Sequence, residues 1–397
     1  MNKEISILEI AKGLSNKEFI FYYQPIISLV TGQISGAEAL IRWQKKDGRL
    51  IPPSSFIPLA EDTGFISEIT QEILPMIFED LLRINESNKS ISVSFNTSAK
   101  DFTDTRVVDS ISQQLSKCEI EPNRLHVEIT ETAFLPLDAS TTQALFDIRD
   151  LGLKIVLNDF SAGHSTFSYL SQLPFSALKI AMPLVQRIGT SKLDFRLLRH
   201  LVSLGHQLEY DVIAEGVENA ELHRLILSTG CASAQGYYYS HPLPLEDFTS
   251  LLNKQPSWVD FPFGLVYLAQ FDIVDFSRDT IREALIIYSN QDEKTRQRAK
   301  ARLPELKYSE IEFAKWYSEI KKYEFDLPEN ISAIGQEYNQ FHKTSIELIQ
   351  LAEQNISWDT LEQKIKKFNV HSANLSKILV EIASRTLIKS YHSEGNI

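Results

Sequence analysis

A chain of 397 residues is long enough for two domains, and its 40 Lys+Arg against 52 Asp+Glu leave a net charge of −12 that argues against binding nucleic acid. Hydrophobic residues at 43% allow sizeable cores, while Cys118 and Cys231 match neither a disulfide framework nor a thiolate metal site. No apolar run of about 18 residues occurs, and Met1-Asn-Lys-Glu-Ile-Ser6 lacks a signal peptide's apolar core, so a cytoplasmic protein with no membrane insertion is expected. From the N-terminus, short β-branched or aromatic runs predict strands over 19–28, 36–43, 91–98, 125–130, 154–160, 177–181, 211–216 and 234–240. Amphipathic segments such as 67–85, 142–150 and 194–209 fall between them and predict helices. Strand alternating with helix predicts βαβ units and a parallel sheet. About eight strands in about 240 residues fit a TIM-type (β/α)8 barrel better than an open sheet. No Gly-rich phosphate loop follows the first strand.

After Pro244 the alternation stops. The stretch 253–262 carries Pro256 and Pro262 and reads as a boundary. Beyond it the helical spacing covers 279–288, 293–302, 309–323, 331–354 and 358–389. The expected organisation is a barrel domain over 1–250, a connector over 251–262 and an all-α bundle of four or five antiparallel helices over 263–397.

Polar residues recur at the expected strands. Glu38 lies in the second, Asn96 in the third, Glu128 in the fourth, Asn158-Asp159 in the fifth, Lys179 in the sixth, Glu215 in the seventh and Gln235 in the last. In a barrel such positions converge on the C-terminal mouth. One carboxylate at a strand end is most simply a helix cap, but seven strands with such residues are hard to explain as caps alone. Glu, Asn and Asp offer hard oxygen donors, which suit Mg²⁺ or Mn²⁺ rather than zinc.

Gly36-Ala-Glu-Ala-Leu-Ile-Arg-Trp43 resembles the signature of the EAL domain family, the cyclic di-GMP phosphodiesterases. The resemblance continues through Tyr23-Gln-Pro-Ile, the segment 53–64, Ser94-Phe-Asn-Thr-Ser, Val127-Glu-Ile-Thr-Glu131, Asn158-Asp-Phe-Ser-Ala-Gly-His-Ser165, Ala214-Glu-Gly-Val-Glu218 and Ala234-Gln-Gly-Tyr, in family order over roughly 5–250. It implies that Glu38, Asn96, Glu128 and Asn158 ligate one metal, and that Asp159 with Asn158 holds a second. Lys179 would orient the attacking water, Glu215 would serve as a base or supporting group, and Gln235 would steady that network. Glu131 would anchor the loop after Asp159, Arg42 would meet a phosphate and Gln24 the nucleotide. Tyr238, in the run Tyr237-Tyr238-Tyr239, is the candidate for stacking on guanine.

The chain departs from that family at position 158, where two adjacent aspartates are usual and the first bridges both metals. Asn158 has one neutral acceptor oxygen and an NH₂ that repels cations. The lost charge weakens the second metal by an amount on the order of several kcal/mol. Ala181 replaces a usual aspartate, Ser161 a usual glycine and His164 a usual aromatic. The expectation is a degenerate protein that binds cyclic di-GMP with absent or weak hydrolysis. The alternatives are an active Mg²⁺- or Mn²⁺-dependent phosphodiesterase yielding linear pGpG, and an interaction platform that no longer binds nucleotide. A homodimer or protein partner, through barrel or bundle, is also implied.

In the helical part, Phe313-Ala-Lys-Trp-Tyr317 and Phe341-His342 faintly resemble a chemoreceptor zinc-binding domain. Its ligand positions fall at Ile281, Ile311, Tyr338 and His342, so no zinc is expected there.

Overall fold

The first strand, β1 (Phe19–Ser28), returns at once as β2 (Ile34–Gln44). A link over 29–33, with Gly32 at φ 72°, is too short for a helical crossover. The two strands therefore pair antiparallel, from Phe19↔Trp43 to Ile27↔Ile34. This hairpin is where the chain departs from the all-parallel expectation. The computed structural model describes residues 5–103, 105–130, 139–160, 169–258, 263–290, 292–301, 303, 331–354 and 356–393.

From β2 onward the strands run parallel. β4 (Ser92–Thr97), β5 (Leu125–Thr130), β6 (Lys154–Phe160), β7 (Ala177–Ile180), β8 (Asp211–Ala214) and β9 (Ser233–Ala234) follow in spatial as well as chain order. β9 then pairs with β1, Ile27↔Ala234, and closes an eight-stranded barrel. The short strands β3 (Leu50–Ile51) and β10 (Leu243–Pro244) extend β2 and β1. The TIM-type barrel followed by helices is thus present, with one strand reversed.

The last strand is shorter than the expected 234–240. After Ala234 the backbone turns to Val217: Val217 N–H donates to Gln235 O at 3.1 Å, and Tyr238 N–H donates to Val217 O at 3.0 Å. Gly236 makes the approach possible, since a Cβ there would lie 2.1 Å from Val217 O.

Helices cover the barrel's outer face. α1 (Ile7–Ser15) is closed by a capping box between Ser6 and Glu9 and lays Gly13 on the Trp43 ring. Trp43 is fully buried, stacks on Phe19 at 5.3 Å and donates Nε1–H to Glu18 at 3.0 Å. After α2 (Ile57–Thr63), α3 (Ile66–Ser87) buries Ile66, Thr70, Leu74, Ile77, Leu81 and Ile84, the three- and four-residue spacing of one helix face. α4 (Arg106–Lys117), α5 (Ala139–Asp150), α6 (Met182–Arg187), α7 (Lys192–Gln207) and α8 (Ala220–Leu227) follow their strands. α9 (Leu245–Lys254) carries helix into the stretch expected as connector, with Leu252 buried.

The chain divides into two units, Met1–Val259 and Asp260–Ile397. Within the second, α10 (Phe263–Ser289), α11 (Glu293–Ala301), α12 (Ile331–Glu353) and α13 (Trp358–Ser393) are described. α10 begins well before the expected 279, because Val266, Ala269, Ile273 and Phe276 extend its buried stripe. Phe341 stacks on Phe368 at 4.9 Å, and Ser277 meets Ser372 at 2.8 Å inside the helices' core. Tyr338 is buried in that core with its ring 6.3 Å from His342. The segment 309–323, with Ile311 and the Phe313–Tyr317 motif, lies outside the described residues. No described helix is long and apolar enough to cross a membrane.

Candidate functional site

The strand register carries the site. Gln24 lies opposite Glu38 across the β1–β2 hairpin, and Asn96 lies beside Glu128. Thr130 lies beside Asn158 between β5 and β6. Side chains alternate along each strand. Glu38, Asn96, Glu128 and Lys179 therefore point to the barrel interior, while Ala39, Phe95 and Val127 point outward.

Lys179 is the centre. It is fully buried, and its Nζ lies 2.8 Å from Glu38 Oε2, 2.8 Å from Glu128 Oε2 and 2.8 Å from Glu215 Oε1. Asn96 Nδ2 donates to Glu38 Oε1 at 2.6 Å, and Asn158 Nδ2 donates to Asn96 Oδ1 at 3.2 Å. Gln235 Nε2 donates to Glu38 Oε2 at 2.8 Å and to Gln24 Oε1 at 3.0 Å. Gln24 Nε2 in turn donates to Ser240 O at 3.2 Å. Eight of the residues singled out by sequence are thus one hydrogen-bonded network.

Three carboxylates around one ammonium leave an excess of negative charge in a dry place. Burial raises the Glu128 carboxyl to about 8, and the neighbouring Glu38 adds to the shift. Burial likewise raises Glu215, despite Lys179. Glu38 goes the other way: burial acts to raise it, but Lys179, Gln235 and Asn96 together hold it below the usual range. Burial disfavours the Lys179 ammonium, yet Glu128, Glu215 and Glu38 keep it firmly charged. Such a site takes up positive charge, as a proton or as a cation.

The donor set can be tested against the implied metal. Glu128 Oε1 is buried with no hydrogen-bond donor, and Glu38, Asn96 and Asn158 supply further oxygens nearby. These fit one hard divalent cation. A second does not fit: the single oxygen of Asn158 is neutral and accepts the Asp159 N–H at 2.8 Å, so the side chain has no pair of anionic oxygens to bridge two cations. Among the described residues no three His, Cys, Asp or Glu side chains converge on a common metal position. Asp159 is exposed and holds φ at 57°, a left-handed backbone unusual for a non-glycine.

Residues 7–242 match the EAL domain family. This chain belongs to it. The chain is 35% identical over 257 residues to the signaling protein YkoW of Bacillus subtilis, covering 65% of this chain and 32% of YkoW. It is 29% identical over 243 residues to the cyclic di-GMP phosphodiesterase RocR of Pseudomonas aeruginosa, covering 61% of this chain and 62% of RocR. The chain thus spans about a third of YkoW and under two thirds of RocR. The solved structure of the PaMucR phosphodiesterase in complex with c-di-GMP aligns with a TM-score of 0.57 at 30% identity, over 61% of this chain and 98% of that one.

The EAL domain's rim holds the remaining candidates. Arg42 is half-buried, which lowers its pKa, and its guanidinium sits 5.8 Å from the Tyr22 ring and feels the Tyr237 hydroxyl. Tyr238 is partly exposed and stacks on His223 at 5.3 Å, while the Tyr237 ring lies 4.0 Å from His241. The tyrosine standing out at the rim is Tyr237, 55% exposed. Nothing in three consecutive tyrosines distinguishes them by sequence; the turn after Gly236 does. Ala181 is buried at the N-cap of α6. Glu131, Ser161 and His164 lie outside the described residues.

Proposed function

We propose that this EAL domain binds cyclic di-GMP at the barrel mouth, hydrolyses it weakly or not at all, and acts as a receptor or regulator. Asn158 carries the reading. A ligand bridging two cations must present an anionic oxygen to each, and this side chain presents one neutral oxygen already engaged by Asp159 N–H. One Mg²⁺ or Mn²⁺ held by Glu38, Asn96, Glu128 and Asn158 would neutralise charge on a bound phosphate. The protein's own residues do the rest. Lys179 clamps three carboxylates, Glu215 stands where it can hold a water's proton, and Gln235 ties Gln24 to Glu38.

Binding is supported by the rim. Arg42 directs only Nη1 to Ile41 O, at 2.9 Å, which leaves the other edge of its fork for a phosphate. Tyr237 offers an exposed ring for a base. A receptor needs an output, and exposed Met182, Leu193 and Leu197 of α6 and α7 offer an apolar face for a second copy or a protein partner. The intact Lys179–Glu215 pair favours a second reading, a slow phosphodiesterase yielding linear pGpG.

Turnover distinguishes the two. The full chain and Asn158→Asp are incubated with cyclic di-GMP in Mg²⁺ and separately in Mn²⁺, and products are resolved by chromatography. We expect the aspartate form to turn over at least about 100-fold faster, a few kcal/mol in barrier. Equal high rates would establish an enzyme. Arg42→Ala should weaken cyclic di-GMP binding about 10- to 100-fold by titration calorimetry. No saturable binding by the full chain would leave the platform alternative, and an unchanged affinity in Arg42→Ala would remove Arg42 from the binding site.

A further inference from the structure

The loop that follows β9 is tied to the barrel mouth at both ends. Gln235 donates to Glu38 and Gln24, and Ser240 O accepts from Gln24. Between them Tyr238 N–H donates to Val217 O at 3.0 Å and Tyr239 N–H to Gly236 O at 3.1 Å, which leaves Tyr237 exposed.

The loop's other two tyrosines meet α8. His223, 5% exposed, lies on the buried face of that helix, where Leu222, Ile226 and Leu227 are apolar. Its ring stacks on Tyr238 at 5.3 Å and meets Tyr239 edge-on at 5.6 Å, and its Nδ1 lies 2.8 Å from the Tyr239 hydroxyl. Burial lowers its pKa to about 4, so the ring is neutral, with one nitrogen to donate and one to accept. Tyr239 takes one role, and the Trp258 backbone is the ring's second hydrogen-bond partner. A leucine would satisfy the packing here; the imidazole adds two directional bonds.

Trp258 is fixed in turn. Its backbone N–H donates to Gly32 O at 3.0 Å, and its indole stands perpendicular to the Tyr239 ring at 5.8 Å. It lies beside Val259, where the barrel unit ends.

We propose that His223 is a positioning residue that couples the mouth to the end of the barrel unit. One ring holds the Tyr239 hydroxyl and the Trp258 backbone, so the loop 235–240 and the segment at Trp258 order together. A ligand that orders the loop therefore tightens the segment, and loosening the segment weakens the ligand. The ligand half rests on the nucleotide reading of the mouth; the coupling itself does not.

Amide hydrogen exchange on the full chain tests the coupling without nucleotide, read over 235–241, over 252–258 and over β5 as the reference. Trp258→Ala should speed exchange over 235–241 at least about tenfold with β5 unchanged. His223→Phe keeps a ring on Tyr238 and loses both nitrogens, and should open both segments. His223→Asn, which restores a donor and an acceptor, should return both to within about threefold of the parent. If His223→Phe does not fold, Trp258→Ala and His223→Asn decide. A loop indifferent to Trp258→Ala, an asparagine form as open as the phenylalanine form, or equal acceleration in β5 would each overturn the proposal. Saturating cyclic di-GMP should then slow exchange over 252–258 at least about fivefold in the parent and not in His223→Phe. Failure of the parent to bind cyclic di-GMP by calorimetry would overturn the nucleotide reading and leave the exchange comparison to decide the coupling. Binding without slowing over 252–258 would overturn the coupling.

Discussion

Asp101 holds a carboxylate where water does not reach. Burial raises it from the ordinary 3.8 to about 6, so the folded state binds the proton more tightly than the unfolded chain does. Between about pH 4 and pH 6 the folded state carries the extra proton, and this group's contribution to stability falls as pH rises through that window. Ionised at pH 7, it costs about 3 kcal/mol relative to the protonated form. The difference in urea stability between the protein and Asp101→Asn should therefore shift in the variant's favour by about that amount from pH 4 to pH 7. A difference that stays flat, or runs the other way, would contradict the assignment. Lys179 obeys the opposite rule. Its charge is buried too, but three carboxylates at 2.8 Å hold it ionised. Both residues look alike in sequence, as polar positions in or just after strands, and only their partners separate them.

At the scale of elements, the short strand β9 shows how local chain geometry shapes the site. Gln235 reaches Glu38 and Gln24 because the backbone leaves the ladder immediately after it and presses on Val217. Gly236→Ala would place a methyl 2.1 Å from Val217 O, against backbone that has little room to move. Relieving that overlap should cost about 3 kcal/mol, near the upper end for overpacking, and should also weaken nucleotide binding by displacing Gln235. Gly189→Ala is the control: its Cβ would meet nothing closer than 3.7 Å, so its urea midpoint should match the parent's within about 0.5 kcal/mol. Equal effects in the two variants would remove the Val217 contact from the account. The β1–β2 hairpin is the other element that chain geometry decides. The link 29–33 leaves no room for a helix, and the antiparallel pairing that follows sets Gln24 directly across from Glu38.

At the scale of the whole molecule, the chain divides between Val259 and Asp260, and each side has its own buried core. Phe248 of α9 packs on Tyr23 of β1 at 5.8 Å, and the Trp258 backbone N–H donates to Gly32 O at 3.0 Å, so the end of the barrel unit is held by that unit's own residues. A chain ending at Val259 should therefore fold alone, with a cooperative melt and cyclic di-GMP affinity unchanged to within about twofold. An insoluble or molten truncation, judged by near-UV circular dichroism, would show that the helical unit is needed for the barrel to hold.

Sequence by itself determined the barrel, the helices after it and the residues that meet inside. Period-two and 3.6-residue spacing are local properties of the chain, and a closed sheet brings every strand's inward residue to the same axis whatever the loops do. It determined as well that position 158 carries an amide, where a bridging site asks for a carboxylate. Tertiary structure alone decided which partners each group meets. Lys179 sits between Glu38, Glu128 and Glu215 because strands distant in sequence are adjacent in the barrel. Tyr237 rather than Tyr238 stands at the rim because Gly236 turns the chain. Charge state and exposure arise from those encounters, since desolvation depends on what surrounds a group and not on its neighbours along the chain.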